Sequence, residues 1–219
     1  MSKAAPADGS APAIELSPEL DRPIGNWADT DLNGWMVSGR TGPCWVDDRT
    51  IVAVVTDRGR SLPMRWRIDP RSGEPREVPT ATHRSSPGPW ADATTHSIAI
   101  VAGSDSVVTL ATSGGRAMEV EVVDLAATPP TARTVTSAGS SWQRRLAQPD
   151  MRRVEVPGAG GPIETWIASP PGAGDASLPT IVDVHGGPLG CWAPAPHVEV
   201  IMLTGAGYRV VLPNIRGSA

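Results

Sequence analysis

From Trp27 onward the chain is a succession of short apolar runs separated by Gly, Asp and Pro, the texture of antiparallel strands joined by turns. Thr50 to Thr56 is a β-branched run, and Ser97 to Ala102 is another. Met64-Arg65-Trp66-Arg67-Ile68-Asp69 and Met118-Glu119-Val120-Glu121-Val122-Val123-Asp124 alternate in hydrophobicity and close on aspartate. That is the period of a strand with one face in a core. A further short strand follows each, around Pro75 to Pro79 and around Ala132 to Ser137.

The two segments read as a repeat, because Trp45-Val46-Asp47 and Trp90-Ala91-Asp92 stand 45 residues apart. A period of that order carrying several short strands is what one blade of a β-propeller looks like. An unrelated β-meander with coincidental tryptophans would look the same, and Trp27-Ala28-Asp29 breaks the spacing. Residues 1–26, rich in Ala, Pro, Ser, Asp and Gly, are expected as a disordered lead-in, since such residues bury too little surface to offset the cost of ordering.

Beyond about residue 148 the pattern changes. Arg153 to Val156 and Ile163 to Ala168 flank the turn Gly158 to Pro162 and predict a hairpin. Thr180-Ile181-Val182-Asp183-Val184-His185-Gly186-Gly187-Pro188 and Gly207 to Ser218 each read as a buried parallel strand ending in a glycine turn. Between them is room for one crossover helix. Pro194 and Pro196 can open it, Val198, Ile201 and Met202 give it an apolar face, and Gly205 or Gly207 can stop it. The unit is βαβ, with a right-handed crossover expected.

Composition removes several classes of function. The net charge of −4 lacks the basic footprint of a nucleic-acid binder. Lys3 is the only lysine, which excludes a phosphate-loop lysine, a Schiff-base lysine and a Ser-Lys dyad from the folded part. No apolar stretch is long enough to span a membrane and no secretory signal opens the chain. Cys44 and Cys191, far apart, are expected as packed free thiols in a reducing cytoplasm. No His, Cys, Asp and Glu spacing suggests a metal, and no cofactor is expected. His83, His96 and His197 stand alone in the sequence and are read as surface or turn positions.

A histidine and two glycines at the carboxyl end of a strand suggest chemistry, because glycine lets the backbone aim N–H groups at a ligand with little steric cost. That is an oxyanion-hole geometry, in which one donor comes from such a loop and the other from the residue after a nucleophilic serine. His185-Gly186-Gly187-Pro188, followed at crossover spacing by Gly207-Tyr208, a hydrophobic strand and Asn214-Ile215-Arg216-Gly217-Ser218, resembles the prolyl oligopeptidase family in its dipeptidyl-peptidase and acylaminoacyl-peptidase branch.

The resemblance is specific from about 150 to 219 and loose from about 27 to 148. It implies a propeller before an α/β-hydrolase domain, joined near Trp142 to Ala147. The fold class expected is therefore partial β-propeller blades over 27–148, then the start of an α/β-hydrolase over 149–219. The resemblance also implies Gly187 N–H as the oxyanion donor, with Gly186 allowing the turn and His185 orienting the loop. Arg216 is expected as a structural ion-pair or hydrogen-bonding residue.

The family hydrolyses peptide bonds through an acyl-enzyme. However, no G-x-S-x-G nucleophile elbow occurs in this sequence, and the triad order Ser, Asp, His would fall after Ala219. The reading is a triad-less peptidase fragment, inactive alone, whose complete form takes short peptides. The alternatives are a non-catalytic propeller-type binding module and one half of a split hydrolase completed by a C-terminal chain.

Overall fold

The computed structural model describes residues 3–4, 10, 12–15, 21–29, 42–68, 75–77, 93–113, 116–127, 130–187 and 189–218. His83, the Trp90 triplet and Pro188 lie outside them. The described chain is nearly all β. Two short strands, β1 (Lys3–Ala4) and β2 (Ile14–Glu15), pair antiparallel, and β3 (Ala28–Asp29) follows.

Two four-stranded antiparallel meanders come next. The first is β4 (Cys44–Asp47), β5 (Thr50–Asp57), β6 (Arg60–Ile68) and β7 (Pro75–Glu77). The second is β8 (Ala93–Ile100), β9 (Ser106–Ser113), β10 (Arg116–Asp124) and β11 (Thr131–Thr134). A parallel bridge between Ser61 and Thr94 joins them into one eight-stranded sheet. The meander is the unit that β-propellers stack as blades.

The repeat is real, but its period is not the tryptophan spacing. Thr50 and Ser106 open the second strands and Arg60 and Arg116 open the third strands, both pairs 56 residues apart. Ser97 to Ile100 belongs to β8, a first strand, so it is not the counterpart of the Thr50 run. Trp27-Ala28-Asp29 is no blade marker either, since Ala28 and Asp29 pair with another part of the chain.

The unbroken apolar run of β5 has a physical cause. Ile51, Ala53 and Val55 pack with Met64, Trp66 and Ile68 on one face. Val52 and Val54 pack with Ile98, Val107, Val123 and Leu125 of the second meander on the other. A strand buried on both sides has no polar face to write into the sequence. In β10 the alternation buries glutamates as well as apolar residues. Glu119 accepts from the N–H groups of Ala138 (2.9 Å) and Gly139 (2.8 Å), and so holds the segment that leaves the meanders.

Part of the expected disordered lead-in is ordered. Pairing between β4 and β5 ends at Cys44 and Val52, and residues 23–27 take over the vacated edge of β5. Gly25 N–H donates to the Val54 carbonyl (2.8 Å), Thr56 N–H to the Pro23 carbonyl (3.2 Å), and Trp27 N–H to Thr56 Oγ1 (3.0 Å). Arg22 pairs with Asp57. This strap carries no hydrophobic period, because its anchors are backbone groups, the polar side chains of Arg22 and Asn26, and a single packed apolar residue, Ile24. Asn26 Oδ1 accepts from Ser61 Oγ (2.6 Å) and from Ala28 N–H (3.1 Å), while Nδ2 stands 3.3 Å from His96 Nδ1. His96, expected at the surface, is thus buried between the strap and Thr112 of β9.

After one helical turn, α1 (Ser140–Gln143), a second sheet begins. Its strands are β12 (Asp150–Val156), β13 (Ile163–Ser169), β14 (Thr180–Val182) and β16 (Arg209–Pro213), in the order β12-β13-β16-β14. The predicted hairpin is β12 and β13, and β14 runs parallel to β16 as a βαβ unit requires. The connecting helix is α2 (Val198–Gly205), which ends before Gly207 at φ +93°.

Two details differ from expectation. The helix buries Val200, Ile201 and Thr204, whereas Val198 and Met202 face out. In the order found, β14 is an edge strand, and Val182 and Val184 are exposed rather than buried on both faces. A short strand, β15 (Cys191–Trp192), pairs in parallel with β3 of the strap, tying the chain's beginning to its end. Among the described residues no helix is long and apolar enough to cross a membrane.

Burial pushes the His96 imidazole down to about 4. The folded protein therefore resists a proton that the unfolded chain accepts near pH 6.5. The stability is whole above pH 6.5 and is lost as pH falls towards 4, by about 3 kcal/mol in all. Thermal melts of wild type and His96→Gln should diverge in slope over that window. Parallel slopes would show that His96 is not the group responsible.

Candidate functional site

Neighbouring parallel strands send their following segments out of the sheet side by side, so β14 and β16 bring the two glycine motifs together. His185 is buried at the foot of the first loop. Its Nε2 lies 2.7 Å from Ser218 Oγ in the second loop, and its Nδ1 lies 2.9 Å from the Gly186 carbonyl oxygen. The Ser218 hydroxyl in turn donates to the Ile215 carbonyl (2.6 Å). With the ring proton on Nε2 the imidazole donates to Ser218 Oγ; with it on Nδ1, Ser218 must donate to Nε2 in place of the Ile215 carbonyl, and in either case the bond joins residues 33 positions apart.

Gly186 and Gly187 are both exposed, and neither N–H has a hydrogen-bond partner among the described residues. Gly187 has φ +139°, and a Cβ there would come within 2.8 Å of the backbone nitrogens of Leu189 and Gly190. Both the angle and the space require glycine. Such a turn can present N–H groups to a developing negative charge.

Beneath the loop sits Trp192. Its indole packs edge-on to His185, with ring centroids 6.2 Å apart, and edge-on to His197 at 5.1 Å. Its Nε1–H donates to the Asp183 carbonyl (3.2 Å) at the root of the same loop. His197, expected at the surface or in a turn, is buried against this indole at the start of α2.

Asn214 holds Trp192 from below. Its Oδ1 accepts from Trp192 N–H (2.6 Å), and its Nδ2 donates to the Trp192 carbonyl (3.1 Å) and to Glu164 Oε2 (3.1 Å). Its own N–H donates to the Glu164 carbonyl (2.8 Å). Burial pushes the Glu164 carboxyl upward, and the charge of Arg153, the Asn214 amide and the Arg153 hydrogen bond pull it back. Arg153 and Glu164 form a diagonal ion pair across β12 and β13. The charged Glu164 inside the strand Ile163 to Ala168 was the available signal for this network, which reasoning from motifs alone missed.

The first meander also enters the site. Arg58 (φ +52°) and Gly59 (φ +69°) form the two-residue turn between β5 and β6, both left-handed as a type I′ hairpin requires. A Cβ on Gly59 would overlap the Trp192 carbonyl oxygen and stand 3.2 Å from both Asn214 Nδ2 and Trp166 Nε1. Arg58 reaches Glu155 of β12 at 3.8 Å. Arg216, expected in an ion pair or hydrogen bond, makes neither among the described residues, and its guanidinium lies against Gly160.

No family model matches the chain, and the search of curated proteins gives no match. Solved structures do match in fold. An acylaminoacyl peptidase in complex with Z-Gly-Gly-Phe-chloromethyl ketone aligns over 94% of this chain with 17% identity and a TM-score of 0.66. A puromycin hydrolase aligns over 98% with 23% identity and a TM-score of 0.60. A Mycobacterium tuberculosis puromycin-hydrolyzing peptidase aligns over 95% with 18% identity and a TM-score of 0.52. The chain spans 27%, 29% and 30% of the lengths of those proteins. At these identities the likeness is one of fold.

Asn214→Ala should leave the buried Trp192 N–H and carbonyl without partners and cost about 2 to 6 kcal/mol, at about 1 to 3 kcal/mol per orphaned group. Urea unfolding of the full chain measures it. A loss under about 0.5 kcal/mol, the scale of a neutral surface change, would mean that the amide is not the keystone described.

Proposed function

We propose that this chain supplies the oxyanion loop and the preceding sheets of a serine peptidase of the prolyl oligopeptidase type, acting on short peptides. The observation that carries the reading is the His185 to Ser218 link. It sets the His-Gly-Gly loop and the Asn-x-Arg-Gly-Ser loop side by side at the carboxyl ends of adjacent parallel strands. The fold likeness to an acylaminoacyl peptidase and to puromycin hydrolases supports it, as does the Gly187 N–H, which has no hydrogen-bond partner among the described residues, at a position that requires glycine.

On this reading residues 27–148 are propeller blades and 149–219 open the α/β-hydrolase domain, a division supported by the new sheet starting at Asp150. Gly187 N–H is one oxyanion donor, the turn rests on Gly187 rather than on Gly186, whose φ is ordinary and whose Cβ position is open, and His185 positions the loop through Ser218. In the reaction the substrate carbonyl oxygen gains negative charge as a serine attacks. A donor already aimed at that oxygen stabilises the tetrahedral state without having to reorganise. The nucleophile, its base and the second donor would come from a G-x-S-x-G-bearing segment, which this sequence does not contain.

This chain alone should hydrolyse nothing, and an active-site-directed fluorophosphonate should leave it unlabelled. Stoichiometric labelling of Ser218 would instead make Ser218 and His185 a working nucleophile and base. The oxyanion assignment is tested in the same chain joined to a triad-bearing C-terminal portion. There Gly187→Val should lower kcat by about 100- to 1,000-fold, roughly 3 to 4 kcal/mol, and change KM far less. An unchanged kcat would remove Gly187 from the hole.

A further inference from the structure

Beside Ser218 lies a cavity of about 210 Å³ between the first meander and the second sheet, lined by Arg58, Glu155, Gly160, Glu164, Arg216 and Ser218 among others. Its charges do not balance. Glu155 and Glu164 are the acids in its wall, and the guanidiniums of Arg58 and Arg153 pair with them. Glu164 is taken by Arg153, with Arg60 adding its field. Glu155 is shared at long range between Arg58 (3.8 Å) and Arg153 (3.9 Å). Arg216 is left without an ion pair or hydrogen bond among the described residues, flat against a glycine where any side chain would overlap it.

Arg58 is the second unusual feature. It is the one non-glycine residue with a left-handed backbone among the described residues. The type I′ turn it forms with Gly59 requires that conformation. The turn places the Arg58 side chain in the cavity wall.

We infer that Arg58 and Arg216 form a carboxylate site that accepts the free C-terminal carboxylate of a short peptide, one unit contributing each arginine. Arginine presents a planar fork that matches a carboxylate's two oxygens. The excess positive charge suits a singly charged anion. Because Ser218 lines the cavity and bonds to His185, the site opens one residue away from the proposed oxyanion loop. The peptide identity of the ligand rests on the peptidase reading; the carboxylate preference rests on the arginines alone.

The test uses the full chain and two probes, N-acetyl-dialanine and its C-terminal amide, titrated by NMR on the amide signals of Gly160, Gly161 and Gly217. The acid should bind at least about tenfold more tightly than the amide, and added salt should weaken it. Arg216→Gln should lower its affinity about ten- to a hundredfold with circular dichroism unchanged, and Arg216→Lys should recover part of the loss by restoring charge without the fork. Gly59→Ala should weaken the acid as well, by displacing Arg58. Equal binding of acid and amide, no shift with either, or a folded Arg216→Gln that binds like wild type would overturn the site. None of these outcomes bears on Gly187, so a failed carboxylate site leaves the oxyanion test standing, and the reverse also holds.

Discussion

Two backbones approach this closely only where no side chain stands between them, and the contact of Gly59 with the Trp192 carbonyl is where the meanders meet the second sheet. Much hangs on that point. Trp192 is held through both of its backbone polar groups by Asn214, and its indole holds Asp183 at the base of the His185 loop. The hairpin turn therefore braces the floor of the candidate site from outside. A β-carbon at Gly59 would meet backbone rather than the yielding tip of a side chain, and its positive φ penalises substitution a second time.

The junction is polar where the two cores are apolar. Met64, Trp66 and Ile68 lie in one core, and Ala168, Trp166 and Leu212 in the other. Between and around them run Glu164, Asn214, Arg153 and the strap residue Asn26. Buried polar groups are costly when orphaned and directional when paired, so such a network specifies one relative placement more sharply than apolar contact would. The strap adds a second tie, since its residues complete the edge of β5 and then pair with Cys191 and Trp192. One short segment is thereby bonded to both sheets.

The local pattern of the chain determined a good deal. The hairpin of β12 and β13, the parallel pair β14 and β16 and the intervening helix were legible because each depends on near neighbours: alternation, turn glycines and a helix of the right length. The two-segment repeat was legible too, whereas the turn assigned to Gly186 falls on Gly187 in the structure. Tertiary structure decided the rest. The Trp45 and Trp90 spacing misled because a tryptophan fixes no strand register, and Trp45 itself stands exposed on β4. The real period appears only once Thr50 is aligned with Ser106.

Residues 21–26 read as disordered because backbone bonds to β5 leave no trace in their side chains, and the sequence held no sign that β4 would stop short and leave that edge open. His96 and His197 looked like surface residues because burial of a lone histidine is set by what packs on it from afar, here the strap in one case and Trp192 in the other. Arg216 looked like half of an ion pair, and only the folded arrangement shows its charge left over beside Arg58. Composition and periodicity determine what each segment can form by itself. Which groups meet across 33 positions, as His185 and Ser218 do, is decided by the order of strands in a sheet, and that order follows from packing rather than from any single stretch of sequence.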